Sequence, residues 1–520
     1  MAHQEPYDNM TVQARYMPPC GRKEDEVPPP FILVIFGGAG DLGLRKLLPA
    51  LYHLFIDERL PDTFCILGLG RREKTDVIFR KEVRAALKQF ASTFYESSKA
   101  ETFIRRLHYL SMDAGDANAY TELRSRIRDL NPAGCDNFLF YLSVPPHVLP
   151  AIVQNLHQAG LSRGEGARKI VVEKPFGRDR ESARELNRML LDAFDENQIC
   201  RIDHYLGRET VQNILFFRFG NSIFEPLWNR RYVDHVQIMV SEELGIGTRA
   251  DFYEQAGVVR DIVQNHALEL LALVAMEPPV GFDPDLIRDE KVKVFRTLRI
   301  LEPKEIDRWM VRGQYGPGVV RGEKVPGYRG EEGVDPGSNT PTFFAGRFMI
   351  DNWRWAGVPF YIRTGKRMSR RQSEIYAEFR QPPLRLFGRT CDRIAPNGLV
   401  FGIQPDEEIS LRLSVKTPGM GNIPRAVDMD FNYEETFSVK QDAPYERLLL
   451  DAIRGDLTLF ARQDGVEAMW DVVDPVTRHW ETHPARDFPN YPAGSWGPGA
   501  AEELLRNEGR VWRYSSEGVE

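Results

Sequence analysis

The sequence predicts an α/β unit with a parallel sheet, followed by an α+β unit with a large, mainly antiparallel sheet. From Phe31 to about residue 200, short apolar runs alternate with amphipathic stretches of helical periodicity, a pattern typical of a doubly wound parallel sheet. The rest has one long helical stretch and many strand-like stretches without regular alternation, which favours the α+β class. A chain of 520 residues has room for roughly two to four such units.

The first unit is predicted element by element from its apolar runs. Phe31–Phe36 is apolar throughout, which suits a strand buried on both faces. The further predicted strands are Phe64–Gly68, Leu107–Leu110, Asn137–Leu142 and Lys169–Glu173. The predicted helices are Leu42–Asp57, Asp76–Phe90, Ala117–Leu130 and His147–Ala159. We assign residues 31–203 to this domain and the polar residues 1–30, which end in Val-Pro-Pro-Pro, to a flexible leader.

The second unit, residues 204–520, is predicted to hold a substrate site and to mediate oligomerisation. A long helix is expected over Gln255–Met276. The predicted strands are Val233–Val240, Lys291–Leu298, Phe343–Asp351, Glu374–Arg380 and Ile409–Val415. Gly313–Pro341 is rich in glycine, proline and charge, which predicts an exposed connection.

Composition narrows the class of protein. The 68 basic and 75 acidic residues give a net charge of −7, so nothing in the overall charge favours a nucleic acid partner. No apolar run approaches the roughly 20 residues that span a bilayer, so no membrane association is expected. The five cysteines are scattered and form no C-x-x-C pair. This pattern argues against a disulfide framework or zinc ribbon and favours a reducing, cytoplasmic location.

A glycine-rich turn lies directly after the first predicted strand and before a helix. Its sequence is Gly37-Gly-Ala-Gly40-Asp-Leu-Gly43, and the glycine register is either Gly37, Gly40 and Gly43 or Gly38, Gly40 and Gly43. Such glycines permit a tight turn and let the backbone approach a pyrophosphate at the helix N-terminus. The turn predicts a Rossmann-like dinucleotide-binding domain. Cofactor contacts are expected from Gly37, Gly38, Ala39, Gly40, Asp41 and Leu42.

The end of the second predicted strand indicates which dinucleotide is bound. Gly68-Leu-Gly is followed by Arg71 and Arg72, where a site selective for NAD has an acidic residue for the ribose hydroxyl. Arginine instead suits a 2′-phosphate. Arg71 and Arg72, with Lys46 as a further cation, therefore predict NADP. Glu73 follows closely, so NAD stays open as a secondary cofactor.

Several longer motifs carry a resemblance to a known family. They are Glu173-Lys-Pro-Phe-Gly177, Arg201-Ile-Asp-His-Tyr-Leu-Gly-Arg-Glu209, Ile223-Phe-Glu-Pro-Leu-Trp-Asn-Arg230, Arg260-Asp-Ile-Val-Gln-Asn-His266, Arg288-Asp-Glu-Lys-Val-Lys293, Val358-Pro-Phe-Tyr-Ile-Arg-Thr-Gly-Lys366 and Asp442-Ala-Pro-Tyr-Glu-Arg-Leu448. In this order they resemble the glucose-6-phosphate dehydrogenase family, and the ending Tyr491-Pro-Ala-Gly-Ser-Trp-Gly-Pro498 is more like its bacterial members.

The resemblance implies the reaction and its ligands. It implies oxidation of D-glucose 6-phosphate at C1 to 6-phospho-D-glucono-1,5-lactone, with hydride transfer to NADP, as the first step of the oxidative pentose phosphate pathway. It also implies homodimers or homotetramers formed through the antiparallel sheet. An enzyme of the glucose–fructose oxidoreductase type and a catalytically silent NADP-binding regulator are the alternative readings.

The resemblance also implies roles for individual residues. His266 corresponds to the base, which suits histidine because it titrates near neutrality, and Asp203 orients it. His204, Tyr205 and Arg208 correspond to the residues that hold the substrate phosphate, although the family usually has lysine where this chain has Arg208. Lys174 corresponds to a lysine near both substrate and nicotinamide. Glu242 and Asp261 correspond to carboxylates that hold sugar hydroxyls, and Lys366, Arg371 and Gln404 to further polar contacts with substrate.

Two points of geometry bear on these roles. At about 100° per residue, Asp261 and His266 on one α-helix are roughly 140° apart. They line one pocket only if it wraps the helix or if Asp261 precedes the regular turns. His266 and Glu269 have the i, i+3 spacing of some metal ligands, but no second such pair is evident and hydride transfer needs no metal, so we expect none.

Overall fold

The computed structural model describes residues 27–131, 134–384, 394–419, 421–437 and 443–515. Of the predicted leader, residues 1–26 lie outside the described residues. Within the part that is described, no helix has the length and apolar character needed to cross a membrane.

The elements are as follows. The strands are β1 (Phe31–Phe36), β2 (Phe64–Gly70), β3 (Leu107–Ser111), β4 (Phe138–Leu142), β5 (Arg168–Val172), β6 (Ile199–Ile202), β7 (Val233–Ser241), β8 (Met310–Gly313), β9 (Tyr315–Gly316), β10 (Gly318–Val320), β11 (Glu323–Val325), β12 (Phe343–Met349), β13 (Pro359–Gly365), β14 (Gln372–Phe379), β15 (Gly398–Gln404), β16 (Glu408–Lys416), β17 (Pro424–Asn432), β18 (Phe460–Ala461) and β19 (Tyr491–Pro492). The α-helices are α1 (Leu48–Ile56), α2 (Asp76–Phe90), α3 (Ser97–Ile104), α4 (Ala119–Leu130), α5 (Leu149–Gln158), α6 (Arg180–Ala193), α7 (Glu209–Phe219), α8 (Ala250–Val258), α9 (Leu268–Ala275), α10 (Pro284–Thr297), α11 (Pro303–Trp309), α12 (Tyr433–Phe437), α13 (Pro444–Arg454), α14 (Gln463–Thr482) and α15 (Gly499–Arg506). Two π-helical segments, Gly43–Leu47 and Val259–Ala267, run directly into α1 and α9.

The first sheet confirms the predicted Rossmann-like domain. Its seven strands have the order β18-β6-β5-β4-β1-β2-β3. All neighbours are parallel except β18 and β6. The chain builds outward from β1 to β3 and then returns to the other side of β1 with β4. The strand order therefore reverses between β1 and β4, where ligands bind at the carboxyl ends of the strands in sheets of this kind.

The second sheet confirms the predicted large, mainly antiparallel sheet. Its eight strands have the order β17-β16-β15-β14-β7-β13-β12-β8. The pair of β7 and β13 is parallel, and the other pairs are antiparallel. Because of this one parallel pair, β7 and β13 end at the same edge of the sheet, where β14 begins and β15 ends. The residues that follow or precede these strand ends are therefore brought together.

One apolar core joins the two sheets. It includes the strands of the first sheet, the inner face of the second and the seven apolar residues of α9. The remaining residue of α9, Glu269, is also buried. This buried helix holds the end of the π-helical segment Val259–Ala267 between the two sheets. The boundary between residues 203 and 204 stays a prediction, and β18, from much later in the chain, is added to the edge of the first sheet beside β6.

The predicted strand Lys291–Leu298 is wrong, because residues 284–297 form α10. The alternation of Lys291-Val-Lys-Val suggested a strand, but the helix start at Asp283, whose side chain accepts from the Asp285 amide, governs the local structure. Ile287, Lys291 and Phe295 are buried at a spacing of four residues, which is the helical period.

Two further expectations for the second unit need correction. The stretch Gln255–Met276 is not one regular helix: α8 is broken at Gly257, with a φ of +57°, before the π-helical segment begins. Gly313–Pro341 is only partly an exposed connection. Tyr315 and Tyr328 are fully buried in a second, smaller apolar core, and short strands cross this stretch.

Candidate active site

The first feature of the site is a buried pair of Asp203 and His266. Asp203 follows β6 directly, and His266 is near the end of the π-helical segment. Nδ1 of His266 donates to Oδ1 of Asp203 over 2.6 Å, and the amide of Tyr205 donates to the same oxygen over 2.8 Å. Both side chains are at least 96% buried. A carboxylate only accepts hydrogen bonds, so this contact fixes the proton on Nδ1 and leaves the lone pair on Nε2.

The charges of the pair follow from its surroundings. Burial alone would raise the pKa of Asp203, but His266 and the hydrogen bonds to the carboxylate outweigh burial and hold that pKa at about 2. Burial lowers the pKa of His266 below its ordinary value, against the attraction of Asp203 and with the help of the Lys174 cation. At neutral pH the pair is therefore a carboxylate and a neutral imidazole.

Lys174 connects this pair to Asp261. Lys174 lies two residues after β5, and its Nζ is 2.9 Å from Nε2 of His266. The same ammonium donates to the carbonyl oxygen of Asp261 over 2.9 Å and lies 3.2 Å from its Oδ1. The π-helical segment explains how Asp261 and His266 share one face. In a π-helix the hydrogen bonds run from i to i+5, so residues five apart lie about one turn apart rather than on diverging faces.

A second lysine extends this chain of charges to the edge of the large sheet. Lys366 directly follows β13 and Glu242 directly follows β7, the parallel neighbour of β13. Nζ of Lys366 donates to Oε2 of Glu242 over 2.5 Å and lies 3.5 Å from Oδ2 of Asp261. Burial would raise the pKa of Asp261, but Lys174 and Lys366 hold it far below its ordinary value. Carboxylates and ammonium groups thus alternate from Glu242 through Asp261 to the histidine.

Two arginines converge on Gln404, at the end of β15. Nη2 of Arg208 donates to Oε1 of Gln404 over 2.8 Å, and Nη2 of Arg371 donates to the same oxygen over 2.7 Å. Nε2 of Gln404 donates to the hydroxyl oxygen of Tyr205 over 3.2 Å and to Ser373 over 2.7 Å. Two guanidinium groups directed at one oxygen form a site suited to an anion with several acceptor oxygens.

Tyr205 joins the anion site to the base. Its ring packs on that of His266 with 4.6 Å between centroids, and its hydroxyl meets Gln404 and Ser373. Burial raises the pKa of Tyr205 to about 12, so the hydroxyl keeps its proton at neutral pH. Ser373 had no signal in the sequence that distinguished it from an ordinary strand residue.

His204 is directed toward a carboxylate that the sequence reasoning missed. Nε2 of His204 is 3.5 Å from Oε2 of Glu173, and its ring packs on Tyr445. Glu173 accepts from the Tyr141 hydroxyl over 2.5 Å. Burial would raise the pKa of Glu173, but His204 and Tyr141 hold it below its ordinary value. The signal that could have identified Glu173 was its place at the head of the Glu-Lys-Pro-Phe-Gly motif.

The glycine turn has the shape expected of a phosphate site. Gly37 has a φ of +81°, in the left-handed region that favours glycine. A Cβ on Gly38 would lie 2.8 Å from Cα of Gly68, and a Cβ on Gly43 only 2.4 Å from the Gly38 carbonyl oxygen. The backbone amides of Ala39, Asp41 and Leu42 have no hydrogen-bond acceptor among the described residues. Free amides at a helix start suit a pyrophosphate.

The cations predicted to bind a 2′-phosphate lie near the carboxyl end of β2. Arg71 and Arg72 are exposed, as is Lys46 on the π-helical segment that follows the turn. The Arg72 carbonyl accepts from Tyr109 and Ser111 of β3, which fixes the backbone there. The predicted contact Asp41 is exposed, and its carboxylate pairs with Arg45 over 2.8 Å.

A cleft of about 680 Å³ opens at the carboxyl ends of β4 and β5. Glu173 and Lys174 line it from the first domain, and Phe252 and Gln255 of α8 line it from the second. Lys174 therefore borders both this cleft and the histidine. The cleft has the size of an ordinary small-molecule site.

Glu269, which has the spacing of a metal ligand relative to His266, is instead paired with a lysine. Oε2 of Glu269 is 2.6 Å from Nζ of Lys291, and both groups are buried. Among the described residues, the group of possible metal ligands that lies close together is elsewhere, at Asp234, His235 and Glu378. There Arg510 already pairs with Asp234 over 2.7 Å.

Family models match almost the whole chain. Residues 34–213 match "Glucose-6-phosphate dehydrogenase, NAD binding domain", and residues 215–513 match "Glucose-6-phosphate dehydrogenase, C-terminal domain".

Curated relatives and solved structures agree with this match. The chain is 46% identical to a glucose-6-phosphate 1-dehydrogenase of Chlamydia pneumoniae over 495 residues, covering 93% of this chain and 96% of the relative. It is 44% identical to that of Treponema pallidum, covering 94% and 96%. A solved glucose-6-phosphate dehydrogenase in complex with glucose 6-phosphate has a TM-score of 0.85 at 34% identity, covering 93% of this chain and 98% of that one. The Mycobacterium avium enzyme has a TM-score of 0.78 at 37% identity, covering 94% and 99%. The chain therefore belongs to the glucose-6-phosphate dehydrogenase family.

Proposed function

We propose that the site described above oxidises D-glucose 6-phosphate at C1 to 6-phospho-D-glucono-1,5-lactone, with His266 as the base. The observation that carries the assignment is the position of Tyr205. Its ring packs on His266 and its hydroxyl meets Gln404, which accepts from Arg208 and Arg371. A group that takes a hydroxyl proton and a site for an anion thus lie at the two ends of one side chain. A sugar phosphate needs both.

His266 takes the proton of the C1 hydroxyl through Nε2. The neutral imidazole presents this lone pair because Nδ1–H is held by Asp203. As the proton arrives, the imidazole becomes a cation next to an ionised, buried carboxylate. Asp203 stabilises that cation electrostatically, as a preorganised buried charge does in other base–carboxylate pairs.

The phosphate is held at the guanidinium pair. Arg208 and Arg371 supply charge and donors, and the Tyr205 hydroxyl supplies a further hydrogen bond. Arg208 carries the charge that lysine carries in many relatives, with a planar fork that suits bidentate contact with phosphate. We also assign His204 to the phosphate, on the resemblance to the family and its position beside Tyr205.

The sugar ring is assigned to the chain of alternating charges. Glu242 and Asp261 accept from the sugar hydroxyls, and Lys366 holds both carboxylates in place. Lys174 lies between Asp261 and the cleft at the ends of β4 and β5, so it would face substrate on one side and a nicotinamide bound in the cleft on the other.

The chain fits NADP at the glycine turn. Gly37, Gly38 and Gly40 leave space for the pyrophosphate, the free amides at Ala39, Asp41 and Leu42 face it, and Arg71 and Arg72, with Lys46, suit the 2′-phosphate. When bound, the nicotinamide accepts the hydride from C1. NAD is a secondary cofactor in this proposal, since Glu73 lies beside the arginines.

Steady-state kinetics test the function directly. Glucose 6-phosphate, glucose and galactose 6-phosphate are each assayed with NADP and with NAD. We expect glucose 6-phosphate with NADP to have the highest kcat/KM. Higher kcat/KM for unphosphorylated glucose would instead favour an enzyme of the glucose–fructose oxidoreductase type, and cofactor binding without turnover of any sugar would favour a regulator.

The base is tested by His266→Asn. This variant should bind substrate and cofactor with nearly unchanged affinity and lose almost all turnover, because asparagine takes no proton at neutral pH. Turnover close to the wild-type rate would contradict the assignment of His266.

Two further properties are proposed with the function. The first is a homodimer or homotetramer formed through the large sheet, whose edge strand β17 and neighbour β16 expose apolar side chains such as Val415 and Met429. Light scattering of the purified protein gives the number of subunits. The second is a cytoplasmic location, supported by the buried thiols of Cys65, Cys135 and Cys200, which form no disulfide with one another. Cell fractionation tests it.

A further inference from the structure

We infer that Lys174 and the C1 hydroxyl of the substrate compete for one acceptor, Nε2 of His266, and that Lys174 keeps this nitrogen unprotonated until the hydroxyl replaces it. The inference rests on the proposed role of His266 as base and adds a positioning role for Lys174 that acts through the histidine. Nζ of Lys174 lies 2.9 Å from Nε2. An sp² nitrogen has one lone pair, so it accepts from the ammonium or from a hydroxyl, but not from both.

The tautomer of His266 makes this competition unavoidable. Because Nδ1–H donates to Asp203 over 2.6 Å, the base has no second nitrogen to offer. The ring is also unable to turn away, since it is almost fully buried and packed against Tyr205. Any donor that reaches the base must reach it where the Lys174 ammonium lies.

Asp261 keeps the lysine in that place. Both the carbonyl oxygen and Oδ1 of Asp261 lie within 3.2 Å of Nζ, so the ammonium is held by two oxygens and directs a third N–H toward His266. The π-helical segment is required for this arrangement, because it brings Asp261 and His266 to one face. A regular α-helix would separate the two side chains by roughly 140°.

The substrate has a means of releasing the lysine. In the proposed function, sugar hydroxyls donate to Asp261, whose other oxygen already lies 3.5 Å from Lys366. Each hydroxyl that binds this carboxylate replaces part of its interaction with Lys174. The ammonium can then move toward the open cleft that it borders, and the C1 hydroxyl takes its place on Nε2.

The charged and titratable groups that act most strongly on His266 come from several elements packed around it. Asp203, after β6, favours the imidazolium, whereas Lys174, after β5, and the neighbouring His204 disfavour it. Tyr205 packs on the ring but stays neutral, and Asp261 lies one π-turn away, with its charge balanced by two lysines. Of the groups that disfavour the imidazolium, Lys174 is the one that also donates to the nitrogen that would take the proton.

The test compares the pH dependence of kcat/KM in wild type, Lys174→Met and Lys366→Met. The acid limb of this profile reports protonation of the base in the free enzyme. Removal of Lys174 takes away a like charge and a donor, so His266 holds its proton to higher pH and the acid limb should move up, by about 1–3 pH units. Lys366→Met is the matched control, because Lys366 also contacts Asp261 but not the histidine. Its acid limb should stay within a few tenths of a unit of wild type.

A second measurement needs no turnover. Deuterium exchange at the imidazole C2 position of His266, followed by peptide mass spectrometry at a series of pH values, titrates this histidine directly. It is applied to wild type, Lys174→Met and Lys366→Met, with Lys174→Gln as a second variant should the methionine form fold poorly. The titration of His266 should move to higher pH in both Lys174 variants and not in Lys366→Met.

The outcomes separate this inference from the proposed function. An unmoved His266 titration in the Lys174 variants, or an equal movement in Lys366→Met, would overturn the inference while leaving the base assignment intact. Near-normal turnover in His266→Asn would remove the base assignment and the inference with it.

Discussion

Asp203 accepts a hydrogen bond from Nδ1–H of His266 over 2.6 Å, and both side chains are buried. This contact couples β6, which positions Asp203, to the π-helical segment that positions His266. The alignment of the base thus depends on how the two domains pack, and the shared apolar core through α9 maintains it.

The first prediction concerns this pair. Asp203→Asn preserves the shape of the side chain and its bond to the Tyr205 amide, but it removes the charge that stabilises the imidazolium and no longer fixes the tautomer. We expect kcat to fall by about 10²–10⁴-fold, with KM for both ligands nearly unchanged. Stopped-flow measurement of NADPH formation at saturating substrate checks the rate. A loss of less than fivefold would show that the carboxylate charge is not needed.

Arg208 provides the second prediction. Arg208→Ala removes one of the two guanidinium groups on Gln404, so KM for glucose 6-phosphate should rise by about 10–100-fold, as expected for loss of a hydrogen bond to a charged group. kcat should change little, because the base is untouched. Arg208→Lys, which restores the residue usual in the family, should raise KM only a few-fold.

The substrate without phosphate controls this result. kcat/KM for glucose should be equal in wild type and Arg208→Ala. Arg412→Ala serves as the matched variant, since Arg412 pairs with Asp428 on the outer strands of the sheet and should leave KM unaltered. An equal loss with glucose and with glucose 6-phosphate would place Arg208 outside the phosphate site.

The third prediction concerns cofactor choice. Arg72→Ala should raise KM for NADP about tenfold or more and leave KM for NAD unchanged, because NAD has no 2′-phosphate for the guanidinium. The backbone of Arg72 is held by Tyr109 and Ser111, so the turn should survive the substitution. The measurement is KM for NADP and for NAD in wild type and Arg72→Ala. Glu73→Gln is measured in the same way as the control for the response to NAD. Equal losses with NADP and NAD would contradict a role in reading the 2′-phosphate.

The sequence predicted the fold where local pattern and tertiary structure agree. The apolar runs of β1, β2 and β4 are buried on both faces and were identified nearly to the residue. One of the stretches that the pattern misassigned, Lys291-Val-Lys-Val, alternates like a strand but belongs to α10. Period-2 alternation over four residues is compatible with either structure, and only the helix start at Asp283 and the buried face behind it distinguish them.

The candidate site was predicted as a set of residues but not as a geometry. The sequence placed Asp261 and His266 on one helix and raised the question of their divergence, yet nothing in Arg260-Asp-Ile-Val-Gln-Asn-His266 identifies a π-helical segment. The extra backbone residue per turn is tolerated because the surrounding core packs it. The contact between Lys174 and His266 follows from that winding, so it too lay beyond what the sequence could predict.

The last prediction concerns the buried ion pair behind the base. Lys291→Met removes the partner of Glu269 and leaves a buried carboxyl group uncompensated, which should cost about 3–5 kcal/mol of unfolding free energy. Burial raises the pKa of Glu269, opposed by Lys291. Because the folded-state pKa of Glu269 is raised, the contribution of this group to the free energy of unfolding is fully present below the unfolded pKa near 4.3. That contribution is lost as pH rises through the folded pKa. The variant's deficit should therefore grow as pH rises from about 5 to 8.

Calorimetry at the two pH values measures this deficit as a fall in Tm. The double variant Lys291→Met, Glu269→Leu is the matched control, because it replaces both charges with apolar groups of similar size and should recover most of the lost stability. It should also abolish the added pH dependence, since no titrating group is left at that position. A double variant as unstable as Lys291→Met would show that Lys291 stabilises by packing of its side chain rather than by compensating Glu269.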